Sequence, residues 1–110
     1  MPEERLDLVK KMLKQSPNDT FLNYAAALEF QKIGDKAKAI ELFEKVIALD
    51  KNYLGAYYQL GKMHENEGTL PKAIATYKTG KEIAKKLNDQ KAIGELTEAL
   101  MLLDEEEGNW

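Results

Sequence analysis

The residue best suited to proton transfer near neutral pH is His64, the one histidine of the chain. A catalytic histidine needs a nucleophile and an orienting partner in a recognisable arrangement, and no motif here supplies them. His64 instead shares a helical stripe with Leu60 and Gly61, which predicts a core or near-core position. Glu65 and Glu67 are close in sequence but point to different faces of a helix, so they form no acid/base pair. The run Asp104, Glu105, Glu106, Glu107 lacks the ligand spacing and the glycine of a calcium loop, and reads as a solvated end. Cysteine is absent, which removes disulfides, thiol chemistry and zinc-thiolate sites. No P-loop, GxGxxG or GxSxG occurs. The expectation is a chain with no catalytic residues, no metal ligands and no cofactor, and thus not an enzyme.

Bulk properties narrow the remaining classes. With 110 residues, the chain is long enough for one domain. Hydrophobic residues make up 44% and charged residues 32%, as in an ordinary soluble protein. The net charge is −3, and without the acidic run the rest is near neutral. Lys36, Lys38, Lys45, Lys72, Lys78 and Lys81 are interleaved with acids, the pattern of a solvated helix surface and not of a nucleic-acid footprint. The charged start, Glu3 to Lys11, carries no apolar h-region, so no signal peptide is expected. No window approaches 18 apolar residues, so no membrane span is expected. These readings predict a cytoplasmic protein without nucleic-acid or membrane partners.

The elements that position these residues follow from a recurrence. Gly34 and Gly68 lie 34 residues apart, as do Tyr24 and Tyr58, Lys38 and Lys72, Ala39 and Ala73, and Ile40 and Ile74; Phe43 and Tyr77 match in kind. Each unit reads as helix, turn, helix. In 20–53, Leu22, Ala26, Ala27, Phe30 and Ile33 form one stripe, and Ala39, Ile40, Phe43, Val46 and Ile47 the next. Gly34 ends the first helix because glycine enters the left-handed conformation without a Cβ penalty, and Asp35 is placed to cap the second. Gly68 and Thr69 repeat that pairing, with Pro71 in the first turn, where its missing N–H costs nothing. A leading helix places Leu6, Val9, Met12 and Leu13 on one side and stops at Ser16-Pro17. After Asn88, Asp89 caps a last helix lined by Ala92, Ile93, Leu96, Ala99, Leu100 and Leu103. Six helices are predicted, near 3–15, 20–33, 36–49, 53–67, 70–87 and 90–104. The organisation is one domain over 1–104, made of a half-unit 3–19, units 20–53 and 54–87, and a terminal helix 88–104. An acidic, frayed tail over 105–110 follows, ending at Trp110.

These residues resemble the tetratricopeptide repeat family, whose signature is W-x2-L-G-x2-Y, then A-x3-F, then P. The second unit reads Tyr57-x2-Leu60-Gly61-x2-His64, then Ala73-x3-Tyr77, with Lys85 at the proline position. The first reads Asn23-x2-Ala26-Ala27-x2-Phe30, then Ala39-x3-Phe43, with Lys51 there; Asn23 replaces the large aromatic. Pro17 closes the half-unit as the family proline does. Ala27 and Gly61 stand where the two helices of a unit approach most closely, opposite Ala39 and Ala73, and Gly80 where the family places a small residue against the next unit. Ile93-Gly94 looks like the family's Leu-Gly, but at a spacing of 33 from Gly61, which leaves the phase of the last helix open. The resemblance implies an all-α fold of antiparallel helix-turn-helix repeats stacked as a short right-handed α-solenoid.

It also implies a function: an adaptor or scaffold that binds a peptide or protein segment on the concave side, lined by the first helix of each unit. Mapped by position, that side would carry Phe21, Tyr24, Ala25 and Leu28 from the first unit and Tyr58, Gln59 and Lys62 from the second. The competing reading is that Phe21, Tyr24 and Leu28 only pack on end helices. Some family members grip a partner's C-terminal carboxylate on this side with lysines, arginines and asparagines. Here the matching positions hold Tyr24, Leu28, Gln59, Asp89 and Ile93, so no such preference is expected. The alternative function is self-assembly into a homodimer through the terminal helices. Ala99 to Leu103 wraps more than one helix face, and Met101 and Leu102 would carry the contact.

Overall fold

In a computed structural model that describes residues 2–107, with side chains described over 4–103, the described residues are helical with short turns. The helices are α1 Pro2–Gln15, α2 Thr20–Lys32, α3 Lys36–Leu49, α4 Leu54–Asn66, α5 Leu70–Lys86 and α6 Gln90–Glu107. The fold class is all-α helical repeat, as the 34-residue recurrence predicts. The last helix runs three residues past its expected end at 104. Trp110 lies outside the described residues.

Three helix ends share one hydrogen-bond pattern. Gly34 and Gly68 have φ of 87° and 78°. The amide after each reaches back five residues, Asp35 N to Phe30 O at 3.0 Å and Thr69 N to His64 O at 2.9 Å. This is the Schellman arrangement, which satisfies carbonyls left open at a helix end. Asn88 adopts φ 56° and does the same, with Asp89 N bonded to Ala84 O at 3.0 Å. Asparagine is the residue after glycine that best tolerates this region. Asp35 and Asp89 then cap α3 and α6, accepting from Lys38 N at 3.1 Å and Ala92 N at 3.0 Å. Thr69 occupies the same position before α5 but makes no side-chain cap; its hydroxyl donates instead to His64 O at 3.0 Å. Asp19, not among the expected caps, accepts from Leu22 N at 2.9 Å and starts α2.

The chain forms two compact units, 1–56 and 57–110. In the first, α1 and α3 both pack on α2. Its core joins Leu6 and Val9 to Leu22, Ala26, Ala27, Ala39, Leu42, Phe43 and Val46. Full burial of a side chain such as Phe43 stabilises by about 3 kcal/mol. Met12 and Ile33, expected on buried stripes, are exposed instead. Met12 lies off the side of α1 where Leu6 and Val9 are buried, and Ile33 is the C-cap residue beyond the last turn of α2. Glu29 is only 4% exposed and pairs with Arg5 at 3.6 Å and Lys32 at 3.7 Å. Asn23, at the position of the family's large aromatic, is also buried. Its amide donates to Pro17 O at 3.0 Å and Asp19 O at 2.8 Å, tying the α1–α2 turn to α2.

In the second unit α5 packs on α6. Tyr57, Leu60 and Met63 of α4 are buried, as are Ala73, Tyr77 and Ala84 of α5 and Leu96, Ala99, Leu100 and Leu103 of α6. Close approach explains two glycines. A Cβ on Gly61 would enter the Tyr77 ring, and one on Gly80 would lie 2.7 Å from Tyr57 Cβ and 3.4 Å from Leu96 Cδ1. Gly80 therefore admits both α4 and α6 against α5. α5 has 17 residues where α3 has 14. At the point where Asp50 ends α3, α5 carries Ala84, followed by Lys85 and Lys86, good helix formers that let it continue.

Candidate functional site

Phe21, Tyr24, Ala25 and Leu28 fall at i, i+3, i+4 and i+7 on α2, so they share one face. Phe21 is 65% exposed, while Tyr24, Ala25 and Leu28 are half-buried. Tyr24 is held from two sides. Its ring lies 4.9 Å from that of Tyr53 and 5.8 Å, edge-on, from that of Phe43. Both distances are within the range of favourable aromatic pairs. Gly55, in the first turn of α4, leaves room for the Tyr24 hydroxyl, since a Cβ there would lie 2.9 Å from it. Burial, followed by the charges of Asp50 and Asp19, holds the Tyr53 hydroxyl above its ordinary pKa, so it stays a neutral donor at physiological pH. The surface is thus a fixed aromatic and aliphatic strip, not a set of loose side chains.

On α4, Tyr58, Gln59 and Lys62 are half-buried. Lys62 Nζ sits 5.5 Å from the Tyr58 ring centroid and 3.8 Å from Glu65 Oε2. The Tyr58 ring lies 6.2 Å from that of Tyr77. The Tyr77 hydroxyl donates to Glu65 Oε2. Burial, then that hydrogen bond and the Glu65 charge, push the Tyr77 hydroxyl far above its ordinary pKa. Tyr77 therefore holds its proton and serves as a structural donor. His64 is only 8% exposed, as its stripe predicts, with Thr69 Oγ1 3.5 Å from its Nδ1.

Met101 and Leu102 are 51% and 55% exposed on α6, while Ala99, Leu100 and Leu103 turn inward. The apolar run splits between two helix faces, as its composition suggests. Tyr53, Phe43 and Gly55, which fix Tyr24, were not among the expected site residues. The one sequence signal for them is a tyrosine one residue before the start of α4, followed within two positions by a glycine.

The tetratricopeptide repeat profile matches residues 22–53 and 54–87. The chain belongs to the tetratricopeptide repeat family. A tetratricopeptide repeat domain protein from Salinibacter ruber, solved by NMR in solution, is 38% identical over 80% of this chain and 89% of its own, with a TM-score of 0.76. The TPR2B domain of yeast Sti1, in a complex with pHsp70, superposes with a TM-score of 0.83 at 18% identity, over 92% of this chain and 81% of its own. The first TPR of Spaghetti (RPAP3), bound to an HSP90 peptide, gives 0.81 at 20% identity, over 97% and 80%. These last two show likeness of fold. Among curated proteins none matches at a significant level.

Proposed function

We propose that this tetratricopeptide repeat chain is a protein-interaction adaptor that binds a peptide or protein segment through its first-helix faces, and that it acts by binding and not by catalysis. The observation that carries this is the α2 face, where Phe21 stands 65% exposed beside a Tyr24 clamped by Tyr53 and Phe43. A rigid aromatic anchor loses little conformational freedom on binding, which is the property of interface hot spots. Tyr58, Gln59 and Lys62 offer a more polar counterpart on α4. That two fold relatives were solved with an Hsp70 partner and an HSP90 peptide agrees with a peptide-binding role. The positions that would clamp a terminal carboxylate hold Tyr24, Leu28, Gln59, Asp89 and Ile93, so a free C-terminus adds nothing to binding here.

The test is a pull-down from cell extract with wild type, Tyr24→Ala and Tyr58→Ala, followed by titration of the captured segment. Loss of about tenfold in affinity with either variant supports the reading. Unchanged capture by both would overturn it, and much tighter binding of a free-acid peptide than of its amide would overturn the carboxylate statement. A second reading, homodimer formation through α6, is favoured by the exposure of Met101 and Leu102. A dimer seen by light scattering and lost in Met101→Glu or Leu102→Glu would support it.

A further inference from the structure

The first unit contains a cavity of about 370 Å³ that shares no residue with the Phe21, Tyr24, Ala25, Leu28 strip. Lys10 and Lys14 of α1 and Lys38 and Lys45 of α3 line it, with Phe30 and Leu42 among its apolar walls. Among the described residues that line it there is no carboxylate. Four like charges around one apolar hollow are unexpected on a chain whose net charge is −3.

Two of the four lysines, Lys45 and Lys10, are held by contacts of their own. Lys45 Nζ donates to Pro17 O at 2.9 Å, which holds the ammonium at the α1–α2 turn. Lys10 Nζ lies 5.5 Å above the Phe30 ring. Lys38 pairs with Glu41 at 3.6 Å, but both side chains are well exposed, and such a pair is worth little and is easily exchanged. An acidic ligand entering the cavity would find four lysine side chains in its wall, over an apolar floor that a bare inorganic anion would leave uncovered. A long polyanion would be opposed by the net charge of the chain.

We propose that this cavity is a second binding site, distinct from the first-helix faces, for a short acidic segment of a partner protein that carries an apolar side chain among its carboxylates. The apolar residue covers Phe30 and Leu42, and the flanking carboxylates meet Lys10, Lys14, Lys38 and Lys45. The volume is that of a small ligand cleft, enough for one anchoring side chain and its neighbours. The site does not depend on the reading of the α2 and α4 faces.

The probe is a fluorescein-labelled peptide, acetyl-Glu-Glu-Leu-Phe-Glu-Glu-amide, followed by fluorescence anisotropy against the full chain. Its glutamine counterpart should bind at least about tenfold more weakly, as should the acidic peptide to a Lys10→Gln/Lys14→Gln variant, and affinity should fall with added salt. Both lysines are exposed on α1, and circular dichroism checks that the helices persist. Tyr24→Ala should bind within about twofold of wild type, which separates this site from the first-helix reading. Equal binding of the glutamine peptide, equal binding by the lysine variant, no binding at millimolar peptide, or loss on Tyr24→Ala would each overturn the proposal. So would a wild-type dimer dispersed by the lysine variant, which would make a second copy the occupant.

Discussion

At the residue scale, Tyr77 fills the space that Gly61 leaves and spends its hydroxyl on Glu65. Replacing it with phenylalanine keeps the ring and removes the hydrogen bond, at a cost of about 1 kcal/mol at neutral pH. The pH dependence has a definite sign. Because the folded pKa is raised, the stabilisation is complete below the ordinary tyrosine range, and is lost as pH rises above about 10, where the unfolded chain ionises first. Thermal melts from pH 8 to 11 should therefore show a shallower alkaline fall for Tyr77→Phe than for wild type; parallel falls would refute the assignment. The small residues at 27, 39, 61 and 73 were legible in sequence because helix approach demands them. The hydroxyl's partner was not, since a bond between Tyr77 and Glu65 depends on side-chain direction across two helices. Buried Glu29 was equally hidden, because its partner Arg5 lies 24 positions earlier on another helix.

At the scale of the element, three helix ends use one left-handed residue each, two glycines and Asn88. Gly34→Ala should lower stability by about 1 kcal/mol, since an L side chain there meets the preceding carbonyl. Asn88→Gly should change it by less than about 0.5 kcal/mol, because the backbone strain relieved offsets the lost Gln90 bond. Urea midpoints decide both, and a large loss in Asn88→Gly would mean that its side chain, not its backbone, forms the turn. Six helices and their boundaries could be read from spacing, with differences of one to three residues. Asn88 was missed as the third left-handed position because asparagine visits that region less often than glycine. Thr69 stands after Gly68, where the sequence predicts a cap, but a hydroxyl within reach of the His64 carbonyl satisfies that acceptor instead. Met12 shows the limit of periodicity, which finds a stripe without telling how much of it a neighbour will cover.

For the whole molecule, each compact unit carries its own buried core, and damage to one should appear first in that unit. Gly61→Ala forces a methyl into the Tyr77 ring and should cost about 1–3 kcal/mol. Native-state hydrogen exchange should show the loss concentrated in residues 57–103, with amides of α2 and α3 less affected. Uniform acceleration along the chain would show that the two cores melt together. The lysine cavity of the first unit was illegible in sequence for a plain reason: its four cations lie on two helices, with Lys10 and Lys45 separated by 35 positions, and Lys38 and Lys45 read only as part of a solvated surface.

The close fit of Tyr77 on bare backbone carries a consequence for motion. A ring lodged where a neighbour has no side chain cannot turn over about its own axis unless α4 and α5 first draw apart. Its two edges should remain magnetically distinct, and the rate at which they interchange would time the breathing of that helix pair.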